Sequence, residues 1–234
     1  MKTAFQKIIA ASAICAGLAA PQAVLAAYGD TGSLSMSAYA YPTALSFGIT
    51  GHSSVGAGGF NASYDRTGPT PATSFVSYCI DLAQTFSWNV AFTATETNPT
   101  SIFGAFRSGA LDRLYTQHFA EANTPTLSAA FQLAVWEIVT ESSTVTTYAG
   151  LGLGTGTFQA TSGDGTARTT ADNWLHALGT GGSGLYSLTA LVGPNNQDQM
   201  MATPVPEPET YMMLLAGLGL MGFVARRRQR DLVA

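Results

Sequence analysis

The chain's 234 residues suffice for one domain of moderate size with appendages, and only 10% of them are charged. Sparse charge with abundant Gly, Ser and Thr is the make-up of a secreted surface protein rather than a cytosolic enzyme. Residues 27–205 hold four arginines against eleven acids, a net of −7, and no lysine; such a body repels phosphate backbones, which excludes nucleic-acid binding.

Residues 1–26 read as a signal peptide. Lys2 and Lys7 give the basic start, Ile8 to Leu18 the apolar run, and Val24-Leu25-Ala26 a cleavage region ending after Ala26. Cleavage removes Cys15 and leaves Cys79 as the one thiol of the mature chain. An unpaired cysteine in an oxidising compartment needs something to occupy it.

Residues 27–200 form the extracytoplasmic domain, expected to be α+β: a β-rich sandwich or barrel with a helical insertion. Between 27 and 74, short alternating runs punctuated by glycine predict strands with loose connections. His52 sits alone in a glycine-rich loop, and Asn61-Ala62-Ser63 matches a glycosylation sequon. From Phe75 the alternation puts Val76, Tyr78, Ile80 and Leu82 on one face. Phe75, Ser77, Cys79 and Asp81 fall on the other, so Cys79 is expected on the more polar face.

Residues 105–122 follow a helical period through Phe106, Ala110, Leu111, Leu114, Tyr115 and Phe119. After the break at Asn123-Thr124-Pro125, a second helix is expected to start with Thr126 or Ser128 as N-cap and to run to Val139. Its stripe is Phe131, Ala134, Val135, Ile138 and Val139, with Gln132 beside it and Trp136 one turn on. Thr170 to Leu178 predicts a short helix and Leu185 to Val192 a strand, after which Gln197 to Thr203 leads into the tail. Asp164 and Asp172 are too isolated for metal ligands, and no metal or cofactor is expected.

The tail, 201–234, has three parts in order: Pro206-Glu207-Pro208, an apolar run, and the basic end Arg226, Arg227, Arg228 and Arg230. As one helix, 210–225 spans ~24 Å against a hydrocarbon core of ~30 Å, a short single transmembrane helix with arginines on the cytoplasmic side. This tail closely resembles the PEP-CTERM sorting signal of Gram-negative bacteria. The resemblance implies processing near Pro206, Glu207 and Pro208 by an exosortase-type membrane protease. The chain would then rest in the inner membrane before delivery to the cell surface or exopolysaccharide matrix.

Tyr78-Cys79-Ile80 and Phe131-Gln132-Leu133-Ala134-Val135-Trp136 resemble the two motifs of Cys-Gln thioester domains of bacterial surface adhesins. The resemblance implies an internal thioester between Cys79 and Gln132, opened later by an amine-bearing partner to leave a covalent bond without turnover. A cysteine hydrolase would need His118 or His176 as base, and neither sits in a recognisable catalytic context, so no enzyme is expected. The alternative is a structural or polysaccharide-binding matrix protein with an inert buried cysteine, its surface drawn from Trp88, Trp174, Tyr148 and Tyr186.

Overall fold

The computed structural model describes residues 28–206 and 213–222. In chain order the elements are β1 (Thr31–Tyr39), β2 (Leu45–Ile49), β3 (His52–Ala57), β4 (Phe60–Arg66), β5 (Thr73–Cys79), β6 (Phe92–Thr97), α1 (Pro99–His118), α2 (Pro125–Thr140), β7 (Ala160–Ser162), α3 (Gly165–Ala177), β8 (Tyr186–Val192) and β9 (Gln199–Pro204). A 3-10 turn, Tyr148–Gly150, precedes β7. Six strands close a barrel in the order β1-β4-β5-β9-β8-β6, every pair antiparallel, and β3-β2-β7 form a small second sheet. Of the two expected architectures, the barrel is the one found.

Helix α2 is the centre of the packing. Thr124 caps its N-terminus by accepting from the Leu127 N–H, with Pro125 in the first turn where its missing N–H costs nothing. Every residue from Ser128 to Val139 is buried, because α1 and α3 flank the helix while β2, β3 and β5 lie against it. A helix enclosed on all sides needs no apolar stripe. Tyr78, Tyr115, Phe119 and Phe131 form an aromatic cluster between β5, α1 and α2, with ring centroids 4.6–6.2 Å apart.

Several boundaries differ from the sequence expectation. Helix α1 begins at Pro99, with Asn98 as cap, and breaks at Gly104 (φ 78°), just before the expected start at 105. It ends at His118 rather than 122. Helix α2 starts at Pro125, because proline suits a first turn as well as it suits a break. Helix α3 starts at Gly165, with Asp164 as its N-cap accepting from Ala167 N–H, which gives that carboxylate its role. The stretch read as a lead into the tail is β9, a full barrel strand running to Pro204.

The signal-peptide residues 1–26, Cys15 included, lie outside the described residues. Within the tail, residues 213–222 are helical and exposed. Among the described residues no helix is long and apolar enough to cross a membrane.

Candidate functional site at the end of strand β5

Strand β5 lies between β4 and β9, but the two neighbours do not end together. Pairing with β4 stops at Phe60 opposite Ser77, while β9 continues, with Met200 opposite Tyr78 and Gln199 opposite Cys79. The Ile80 N–H donates to the Asp198 carbonyl at 3.0 Å, so strand alternation turns the backbone of Cys79 the other way, toward the vacated β4 side. Gly59 has left the ladder there, and its N–H donates to the Ser128 hydroxyl at 2.8 Å. A Cβ on Gly59 would stand 2.9 Å from Val76 and 3.0 Å from the Tyr78 ring. That approach leaves no room for a side chain.

Gln132 occupies the gap. The Cys79 N–H donates to Gln132 Oε1 at 2.9 Å, and Gln132 Nε2 donates to the Cys79 carbonyl at 2.8 Å. The side-chain amide takes the place that a backbone amide of β4 would have held. Ser128 and Gln132, four residues apart on one face of α2, thus satisfy the end of the ladder together. Both are completely buried, as is Cys79.

The face of β5 expected to be polar is an interior face. Ser77 and Cys79 have no exposure, and Ser77 is accommodated by donating to Gln199 Oε1 at 3.0 Å. The polarity of that face reflects buried pairing with β9.

The Cys79 thiol donates to the Asp81 carbonyl at 2.8 Å. Burial pushes its pKa up to about 12, against the opposing influence of the Trp136 side chain and the Asp81 carbonyl; the charges of Asp81 and Asp198 raise it further. At neutral pH the sulfur is therefore a thiol. Trp136 is one turn along α2 from Gln132, and its indole N–H is buried without an oxygen or nitrogen acceptor. Asp81 Oδ1 accepts from Ala83 N–H and Asp198 Oδ1 from Gly193 N–H, while Asp81 Oδ2 is buried without a partner.

The remaining sequence candidates fall elsewhere. His118 stacks on Trp174 with centroids 4.6 Å apart and pairs with Glu121, and His176 Nδ1 contacts the Asp172 carbonyl at 2.8 Å. Among the aromatics considered for carbohydrate binding, Trp174 is buried and Tyr148 and Tyr186 half-buried, leaving Trp88 exposed beside Tyr39, Phe60 and Phe86. Asp172 accepts from Leu153 N–H at 2.8 Å. Pro206 is half-buried at the edge of the described region; Glu207, Pro208, Arg226, Arg227, Arg228 and Arg230 lie outside it. Sequence reasoning missed Ser128 as a ladder partner, and it missed Asp198 and Gln199, whose places depend on β9.

The comparison with curated proteins returns no match. Solved structures similar to this one include the N-terminal thioester domain of a surface protein from Clostridium perfringens, with a TM-score of 0.42 and 12% identity over 75% of this chain and 99% of that one. Another is the N-terminal domain of the Streptococcus pyogenes pilus tip adhesin Cpa, with a TM-score of 0.43 and 12% identity over 76% of this chain and 95% of that one. Residues 204–228 match the PEP-CTERM protein-sorting motif, which marks the chain as exported and sorted to the cell envelope and surface.

Proposed function

We propose that this surface-sorted protein attaches covalently to an amine-bearing partner through an internal thioester between Cys79 and Gln132. The observation that supports it is the two-point contact between the Gln132 carboxamide and the backbone of Cys79. That contact sets the acyl carbon against the residue that carries the sulfur. The Cys79 N–H already donates to Oε1 at 2.9 Å, within the range of a donor that stabilises a developing oxyanion. In the forming step the Sγ–Cδ bond is made and the Cδ–Nε2 bond broken, and ammonia departs with the thiol proton. In the attaching step an amine nitrogen bonds to Cδ, and sulfur leaves to regain a proton as thiol.

The sorting tail supplies the setting. Export with residues 210–225 as a temporary inner-membrane anchor, followed by exosortase processing near Pro206-Glu207-Pro208, would release the domain to the surface or matrix of a Gram-negative cell. Replacing those three residues should then trap unprocessed protein in the membrane, and unaltered release would refute the sorting step.

A second reading, an inert ladder cap in a non-covalent matrix protein, is favoured by the complete burial of the thiol. Intact mass separates the two. A thioester makes the protein lighter by one ammonia, hides Cys79 from alkylation after unfolding, and adds methylamine at Gln132. Full mass with an alkylatable Cys79 overturns the covalent reading.

A further inference from the structure

Aminolysis at neutral pH has a proton problem. An alkyl ammonium has a pKa near ~10.4, so the amine arrives charged and must lose a proton before it can attack. The Cys79 sulfur offers no help, being acylated in the thioester until the amine has displaced it. Cys79 and Gln132 have no exposure, whereas Asp81 and Asp198, flanking the end of β5, are half-exposed. These two are the charged side chains that act on Cys79, and both reach solvent.

We propose, resting on the thioester reading, that the Asp198 carboxylate, with Asp81 beside it, receives the partner's ammonium and takes its proton as the amine attacks Gln132 Cδ. Four observations converge on this pair. The Cys79 thiol touches the Asp81 carbonyl, and the Ile80 N–H holds the Asp198 carbonyl, so both residues are fixed by the backbone next to the reacting sulfur. Their carboxylates face each other's charge. From the segment after β5 the group facing Asp198 is Asp81, from the turn after β8 it is the Gly193 N–H, and among the described residues no cation pairs with either acid. Finally, Asp81 Oδ2 is a buried acceptor lacking a donor, and the Trp136 indole, 2% exposed, is a donor with no oxygen or nitrogen acceptor, set against the weakly accepting Cys79 sulfur. An ammonium supplies donors to the carboxylates, and the oxyanion formed on attack supplies an acceptor to the indole.

Burial and the Asp81 charge push Asp198 up to about 6, which makes it a stronger base than an ordinary aspartate while leaving it ionised at pH 7. The balance is complete: one ammonium proton goes to Asp198, the remaining one displaced on attack goes to the leaving sulfur, and Cys79 ends as a thiol.

The experiment follows methylamine incorporation at Gln132 by mass in the purified full chain, from pH 5 to 8. In the parent, log rate should climb with slope one below about pH 6, where Asp198 gains its charge, and level off above, because the proton it takes comes from the ammonium that predominates throughout. Asp198→Asn keeps an acceptor for Gly193 N–H. It should form the thioester, react with methylamine ten- to a hundredfold more slowly at pH 7, and show slope one throughout. Hydroxylamine, uncharged at neutral pH, should react nearly as fast with the variant as with the parent. Where Asp198→Asn does not fold, Asp81→Asn should move the change of slope to lower pH. A variant that carries the thioester and takes up methylamine at the parent's rate, or an unmoved slope in Asp81→Asn, overturns the role of this pair alone. A parent of full mass overturns both this and the thioester.

Discussion

Replacing Cys79 with alanine tests the covalent reading through stability, because the backbone contacts to Gln132 survive the substitution. A thioester would close a loop over the 53 residues separating the two positions. Treated as a cross-link, that loop removes chain entropy worth ~4 kcal/mol from the unfolded state. Losing the buried sulfur adds ~1 kcal/mol, and regaining the Gln132 Nε2 donor to the Cys79 carbonyl returns ~1 kcal/mol. The net cost of Cys79→Ala is thus ~4 kcal/mol if the bond exists and ~1 kcal/mol if the cysteine is inert. With an m-value of ~2 kcal/mol/M in urea, these correspond to midpoint shifts of ~2 M and ~0.5 M. Equilibrium unfolding, with intact masses checked beforehand, distinguishes them. A Cys79→Ala variant within about 1 kcal/mol of its parent would refute the cross-link.

Gln132→Leu should cost ~2–6 kcal/mol even in the Cys79→Ala background, since it strands a buried N–H and a buried carbonyl; urea unfolding of the double variant reads it. Burial pushes Glu137 up to about 8, with the neighbouring Glu141 and Asp172 charges adding to the effect. A raised carboxyl pKa favours the folded state at low pH, so this contribution is complete below ~4.3 and is lost as pH rises through about 8. Glu137→Gln keeps an acceptor for Gly152 N–H, and should be more stable than the parent by ~5 kcal/mol above pH 8 while matching it at pH ~4 in thermal unfolding. Arg66 is the partner of the fully buried Glu96, so Arg66→Met should cost ~3–5 kcal/mol by chemical denaturation at pH 7, and Arg66→Met with Glu96→Gln much less.

Periodicity made the cores of β5, α1, α2 and β8 legible, since alternation and the helical repeat are local properties. What it missed depends on neighbours. Gln199-Met200-Met201-Ala202 does not alternate, because β9 buries its first residues on both faces and keeps Gln199 by pairing it with Ser77 and Gln197. The start of α1 was readable in principle from Asn98-Pro99, but Gly104 interrupts the helix and hides the first turn. Cys79 was set on a polar face that turned out to be interior, because residue polarity marks a hydrogen-bonded interior as readily as a solvated surface. The meeting of Cys79 with Gln132 follows from β4 ending early, and no local pattern encodes where a neighbouring strand stops.

The same contact that completes the barrel edge is also the one that the proposed chemistry breaks. As a primary amide, Gln132 satisfies both the N–H and the carbonyl of Cys79. In the thioester the acyl oxygen still accepts from the Cys79 N–H, but Nε2 has gone, and the Cys79 carbonyl is left buried without its donor. Such a vacancy costs ~1–3 kcal/mol. Attack by a primary amine produces a secondary amide at the same carbon, whose trans form carries the new substituent on the oxygen edge and turns its N–H away from the Cys79 carbonyl. Only the cis form, ~2.5–4 kcal/mol higher, would present oxygen and N–H to the Cys79 backbone together. Hydrolysis would leave a carboxylate in that place, with oxygen facing the Cys79 carbonyl and no donor unless it holds a proton. Neither product regains the ladder cap of the primary amide, so the driving force for attachment is the exchange of a thioester for an amide, and the contact whose first role is to finish a strand is given up when the thioester forms.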